Sequence, residues 1–154
     1  MKKIALFCFC IALFLFLPPA FAQLSPTLQE GIRQYQQENC EEAIEILTKV
    51  RRQEPASSQA AFFLGMAYKQ VMDYAKASAN LQDAVTLSPP IKEALVELID
   101  TLYQTGKLDE AKKWIDVAEK EDISPARTAF LKGMILSKEN NNREAIVDRS
   151  YRRL

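Results

Sequence analysis

Histidine is absent from the 154 residues, which removes the usual general base, the commonest metal ligand and the side chain that titrates near neutral pH. Glycine is scarce, at four residues, and none lies in a phosphate-cradling loop. No serine or cysteine stands beside a plausible base, and Asn140-Asn141-Asn142 lacks the carboxylates and glycine of a calcium loop. Neither sign of charge is in excess, with 20 basic and 20 acidic residues, so there is no basic field to recruit nucleic acid. The pairs Glu97 with Asp100 and Asp109 with Glu110 have the spacing of an exposed helix face. These absences lead us to expect no enzyme, no cofactor, no metal and no nucleic-acid partner.

Cysteine is nearly as scarce. Cys8 and Cys10 fall in a segment expected to be lost, which leaves Cys40 alone and without an internal disulfide partner. Cys40 occupies the slot that Tyr74 and Leu108 hold further on, so it reads as a small packed apolar residue.

Long apolar runs are also missing, apart from residues 4–17. That run of 14 follows Met1-Lys2-Lys3, is broken by Pro18-Pro19, and precedes the small-x-small site Ala20-Phe21-Ala22. It is shorter than the roughly 20 residues a membrane span needs. Residues 1–22 therefore read as a secretory signal peptide cleaved after Ala22, with no stable membrane insertion afterwards. Loss of Lys2 and Lys3 leaves 18 basic against 20 acidic residues, and the expected location is periplasmic or secreted.

The remaining chain, about half apolar and a quarter charged, has the composition of one ordinary globular domain. Within it, residues 61–89 carry small and apolar side chains at three- and four-residue steps, interrupted around Val71-Met72-Asp73 and stopped at Pro89-Pro90. That pattern predicts two helices joined by a tight turn. Gly65 inside the first costs about 1 kcal/mol relative to alanine, a cost that a closely packed second helix would justify; Ala77 is small for the same reason. The pattern recurs at a fixed stride. Ala43 is followed by Ala77, Ala111 and Ala145; Gly31 by Gly65, Ile99 and Gly133; and Pro55 by Pro89. Turn residues Asn39, Asp73, Lys107 and Asn141 keep the same interval. A period of about 34 residues means stacked helical hairpins.

Leu64-Gly65, Tyr68, Ala77, Ala84 and Pro89 match, slot for slot, the pattern of the tetratricopeptide repeat family, which residues 24–146 resemble. The resemblance implies an all-α, right-handed superhelical solenoid of antiparallel helix hairpins behind the signal peptide. The domain spans 23–154, with units at about 24–57, 58–91, 92–125 and an incomplete 126–154. Ser25-Pro26 and Ser124-Pro125 read as helix caps with a compatible first-turn proline. Ile99 in the glycine slot predicts a wider third hairpin or a displaced Ala111, and Trp114 reads as outer packing. In the fourth unit Asn140–Asn142 is expected to turn the chain and Glu144 to begin a second helix. Arg149 and Arg152 then stand where Leu81 and Ala84 stand in the second unit, forming either a polar capping face or an uncapped end.

The resemblance further implies that a protein or peptide lies along the first helices of the hairpins. Carried over by position, those slots are Leu28, Ile32 and Tyr35; Phe62, Met66, Lys69 and Gln70; Val96, Asp100 and Tyr103; Phe130 and Met134. Some relatives grip acidic chaperone tails with Lys, Asn and Arg in these slots; Phe62 and Met66 fill two of them here. The expectation is an exported protein-binding scaffold in the cell envelope. The alternative is a module that self-associates through the uncapped C-terminal repeat, or the first part of a longer repeat protein.

Overall fold

The turns inside the first three hairpins are built alike. Glu38, Met72 and Gly106, equally spaced along the chain, adopt left-handed φ values of 64°, 60° and 75°. In each turn that residue's N–H donates to the carbonyl three residues back, and the next N–H donates five residues back: Asn39 to Gln34, Asp73 to Tyr68 and Lys107 to Leu102 at 2.9–3.0 Å. This is the Schellman arrangement that satisfies the last carbonyls of a helix. The left-handed conformation costs Glu38 and Met72 about 1–2 kcal/mol each, a cost that Gly106 avoids. The following residue stands at the N-cap of the next helix, and in the second hairpin its side chain caps that helix: the Asp73 carboxylate accepts from the Lys76 N–H at 3.2 Å.

The computed structural model describes residues 26–151, and the side chains of 27–142. The signal-peptide reading of residues 1–22 and the Ser25 cap lie outside them. The described residues form α1 (Pro26–Gln36), α2 (Cys40–Gln53), α3 (Ser58–Gln70), α4 (Tyr74–Thr86), α5 (Glu93–Gln104), α6 (Leu108–Lys120) and α7 (Pro125–Tyr151). None of these helices is long and apolar enough to cross a membrane. Consecutive helices pack as antiparallel pairs, and α1, α3, α5 and α7 also touch in sequence, so the first helices of the hairpins line one face of an all-α solenoid.

Two buried clusters run through the stack. Leu28, Ala43, Leu47, Val50, Ala60, Leu64 and Ala67 join the first hairpin to α3. The larger cluster extends from Ala61 and Leu81 through Leu98, Ile99 and Ile115 to Leu131 and Ile135 of α7. Ala43, Ala77 and Ala111 are fully buried, as the stride requires. The glycine meets the second helix of its own hairpin, as expected, at a leucine. A Cβ on Gly31 or Gly65 would meet Leu47 or Leu81, sixteen residues further on, at 2.7 or 2.8 Å. In the third hairpin the same two positions hold Ile99 and Ile115, both buried, and α5 and α6 approach each other less extensively than α3 and α4. Ala111 keeps its place. Trp114 packs on the outside of the larger cluster, and Cys40 is buried with its thiol pushed up by burial and by the Glu38 carboxylate.

The fourth hairpin departs from expectation. Asn140–Asn142 does not turn; α7 continues through it for 27 residues in all. A folded-back helix would place arginines at the positions where Leu81 and Ala84 bury apolar surface, so folding back would gain little, whereas continuing keeps the i to i−4 hydrogen bonds. Ala145 lies in this helix, and its side chain falls outside those described.

Candidate functional site

On the face of the first helices, charge is gathered at the junction of α3, α5 and α7. Lys69 donates to Glu97 at 2.6 Å and to Asp100 at 2.5 Å, and Arg127 pairs with Glu97 at 2.6 Å. The Lys69 and Glu97 side chains are only 19% and 14% exposed. Burial pushes the Lys69 ammonium toward neutrality, but the hydrogen bonds to Asp100 and Glu97 outweigh it, and its pKa is raised above the usual lysine value. Burial likewise opposes the charge on Glu97, and its bonds to Arg127 and Lys69 reverse the direction, holding its carboxyl below the usual range. The spacing of Glu97 and Asp100 alone suggests a solvated face. The pair serves instead as an inter-repeat clamp, because α3 and α7 each bring a cation over the same turn of α5.

Beside the clamp lies an aromatic row. The Tyr35 and Phe63 rings meet edge to face at 5.8 Å, and Phe63 meets Phe62 at 5.2 Å. Phe62 and Phe63, with Pro89, Pro90 and Ile91, line an apolar depression of about 460 Å³. All three rings are half-buried. Ile32 packs against the first cluster and Met66 against the second, each with part of its surface left open, while Gln70 is exposed at the end of α3.

Four of the expected groove residues sit elsewhere. Leu28 and Val96 are each 3% exposed and belong to the core. They share a stride position with Phe62 and Phe130, and in a stack this position is covered by the first helix of the next unit. No described helix follows α7 in that role, so Phe130 remains 65% exposed. With Tyr103, Gly133, Met134 and Lys138 it lines an open groove of about 600 Å³ at the end of the stack. The Lys138 ammonium lies 4.3 Å from the Tyr103 ring centre and donates to the Tyr103 carbonyl at 2.9 Å. Phe130 and Met134 therefore belong to the terminal stacking surface. The signal in the residue pattern is the break in the repeat at Arg149 and Arg152, for which an uncapped end is one of the two expectations. No group of three or more metal-ligating side chains occurs among the described residues.

Two family models, both described as Tetratricopeptide repeat, match residues 28–71 and 70–125. The chain carries tetratricopeptide repeats. No curated protein matches it significantly. Solved structures with the same fold include the type III secretion translocator chaperone SycD of Yersinia enterocolitica, at 18% identity and a TM-score of 0.65 over 79% of this chain and 90% of that one. The first tetratricopeptide domain of Spaghetti (RPAP3), bound to an HSP90 peptide, matches at 24% identity and 0.64 over 73% of this chain and 90% of that one. The second domain of human RPAP3, in complex with an HSP70 peptide, matches at 20% and 0.66 over 74% of this chain and 95% of that one. At such identities the likeness is one of fold.

Proposed function

We propose that the chain is an exported, non-enzymatic scaffold of the cell envelope that holds a segment of a partner protein along the face of its first helices. The observation that carries this reading is the row Tyr35, Phe63 and Phe62, half-buried rings that open into an apolar depression next to a rigid ion-paired clamp. Rings of this kind offer contact area at low entropic cost, and each apolar side chain seated there contributes about 1.5–3 kcal/mol. Two or three such anchors, less the cost of ordering a flexible segment, give affinity in the micromolar range. The structures of like fold that hold a chaperone peptide lend the reading support, and the export rests on reading residues 1–22 as a signal peptide.

The test is affinity capture from an envelope fraction with the wild-type chain and with Phe62→Ala combined with Tyr35→Ala. The scaffold reading expects a defined partner on the wild type and its loss on the variant, with helical circular dichroism retained. Equal capture by both would remove the aromatic row from the interface. N-terminal sequencing of the exported chain should begin at Gln23; an unprocessed Met1 would refute the export.

A further inference from the structure

The charges on the first helices of the hairpins are paired almost without remainder. The clamp takes up Lys69 and Arg127. Arg33 is held by Glu30 at 2.7 Å, Lys132 by Glu119 at 2.8 Å, and Lys138 donates to the Tyr103 carbonyl at 2.9 Å. Every cation on α1, α3, α5 and α7 whose side chain is described therefore has a partner inside the chain. Of the carboxylates on the same helices, Glu30, Glu97, Asp100 and Glu139 each meet a cation. Glu93 is exposed and makes no ion pair among the described residues. It stands on the wall of the apolar depression with Phe62, Phe63, Pro90 and Ile91, the one charged side chain among the described residues there. The balance beside the aromatic row is negative as well. Glu93, Glu97 and Asp100 follow one another along one face of α5, three carboxylates against the two cations Lys69 and Arg127. Burial pushes the Tyr35 hydroxyl pKa up, and the Glu97 carboxylate adds more to that shift than the Lys69 ammonium takes away.

We propose that the segment held on the aromatic row carries a lysine or arginine beside its apolar anchor, and that Glu93 selects for this cation. The proposal rests on the aromatic row as the binding face and adds the chemistry of what binds there. The anchor fills the depression against Phe62 and Phe63. The aliphatic stem of the neighbouring basic side chain lies over Pro90 and Ile91 while its charged head reaches Glu93. A segment with aspartate or glutamate in that place meets a carboxylate that repels it and no unpaired cation that would hold it. Glu93 also opens α5, where a negative charge favours the helix dipole. A role confined to the helix would leave the choice of ligand unaltered, so binding is the property that separates the two.

The experiment is titration calorimetry with two synthetic peptides, acetylated and amidated so that their ends carry no charge. Both contain the same Phe-Leu pair among serines; lysines flank the pair in one and glutamates in the other. The wild-type chain should bind the lysine peptide about five- to tenfold more tightly, the scale of an exposed charge pair gained in one case and a repulsion met in the other. Added salt should shrink the preference and leave the apolar part of the affinity. Glu93→Gln should bring the two peptides level, Glu93→Lys should reverse their order, and Phe62→Ala should weaken both. Equal or reversed affinities on the wild type, with both peptides weakened by Phe62→Ala, would overturn the charge preference and leave the aromatic row standing. A lysine preference that survives Glu93→Gln would overturn the role of Glu93. Binding of neither peptide, or binding that Phe62→Ala does not weaken, would overturn the aromatic row itself.

Discussion

The Cβ that Gly65 lacks would stand 2.8 Å from Cγ of Leu81 and 3.1 Å from the Leu81 backbone nitrogen. The side-chain tip can move, but the backbone of α4 cannot without disturbing the hairpin. Overpacking of this kind costs about 1–3 kcal/mol, against about 1 kcal/mol recovered in helix propensity. By that balance Gly65→Ala is predicted to destabilise by about 1 kcal/mol in urea unfolding, and Gly65→Leu by more. At Gly31 the three nearest atoms belong to the Leu47 and Ile46 side chains and none to the backbone, so Gly31→Ala should be the milder change. An unaltered midpoint for Gly65→Leu would contradict the close packing.

The Lys69 clamp makes a second prediction. Replacing it with methionine leaves Asp100 without this cation and Glu97 with Arg127 alone, two carboxylates one turn apart and partly buried. Stranding a charged group in this way costs about 1–3 kcal/mol. Lys69→Met should accordingly lower the unfolding free energy by about 2 kcal/mol, measured by denaturant titration at neutral pH. A change within about 0.5 kcal/mol, the range of an ordinary surface substitution, would show the clamp to be no more than surface charge.

The same groups set the pH dependence. The Glu97 pKa is depressed below the ordinary 4.5, so its contribution is present above that value and lost as pH falls through the folded-state pKa. The Lys69 pKa is raised above the ordinary 10.5, so its contribution is complete below that value and lost as pH rises through the folded-state pKa. The contribution of the clamp should be flat between these limits and fall on both sides. Since the chain contains no histidine, no step is expected near the ordinary histidine pKa of about 6.5; a midpoint shift there in a thermal scan would contradict this assignment.

Much of the architecture is legible in the sequence because it depends on local, repeated chemistry. The alanines at 43, 77 and 111 mark buried positions in the second helix of each hairpin, and the same stride survives in the turn angles of Glu38, Met72 and Gly106. The binding face is harder to read. Leu28, Val96 and Phe130 share one position, but whether that position is core or surface depends on a neighbouring unit, which the residue itself does not encode. Glu97 looks solvated in the sequence for a related reason: its partners Lys69 and Arg127 belong to other repeats and stand on different helices. The straight course of α7 follows from what is missing at positions 149 and 152, a shortage of apolar surface that outweighs a suitable turn sequence.

The claim that a partner lies along the first helices is tested most directly by photo-crosslinking in the intact cell. A photoreactive residue would be placed at Phe62 or Gln70 on that face, or at the exposed Glu110 on α6. The account predicts adducts with one and the same protein from Phe62 and Gln70 and none from Glu110. Adducts from Glu110 alone, or equally from all three positions, would contradict it.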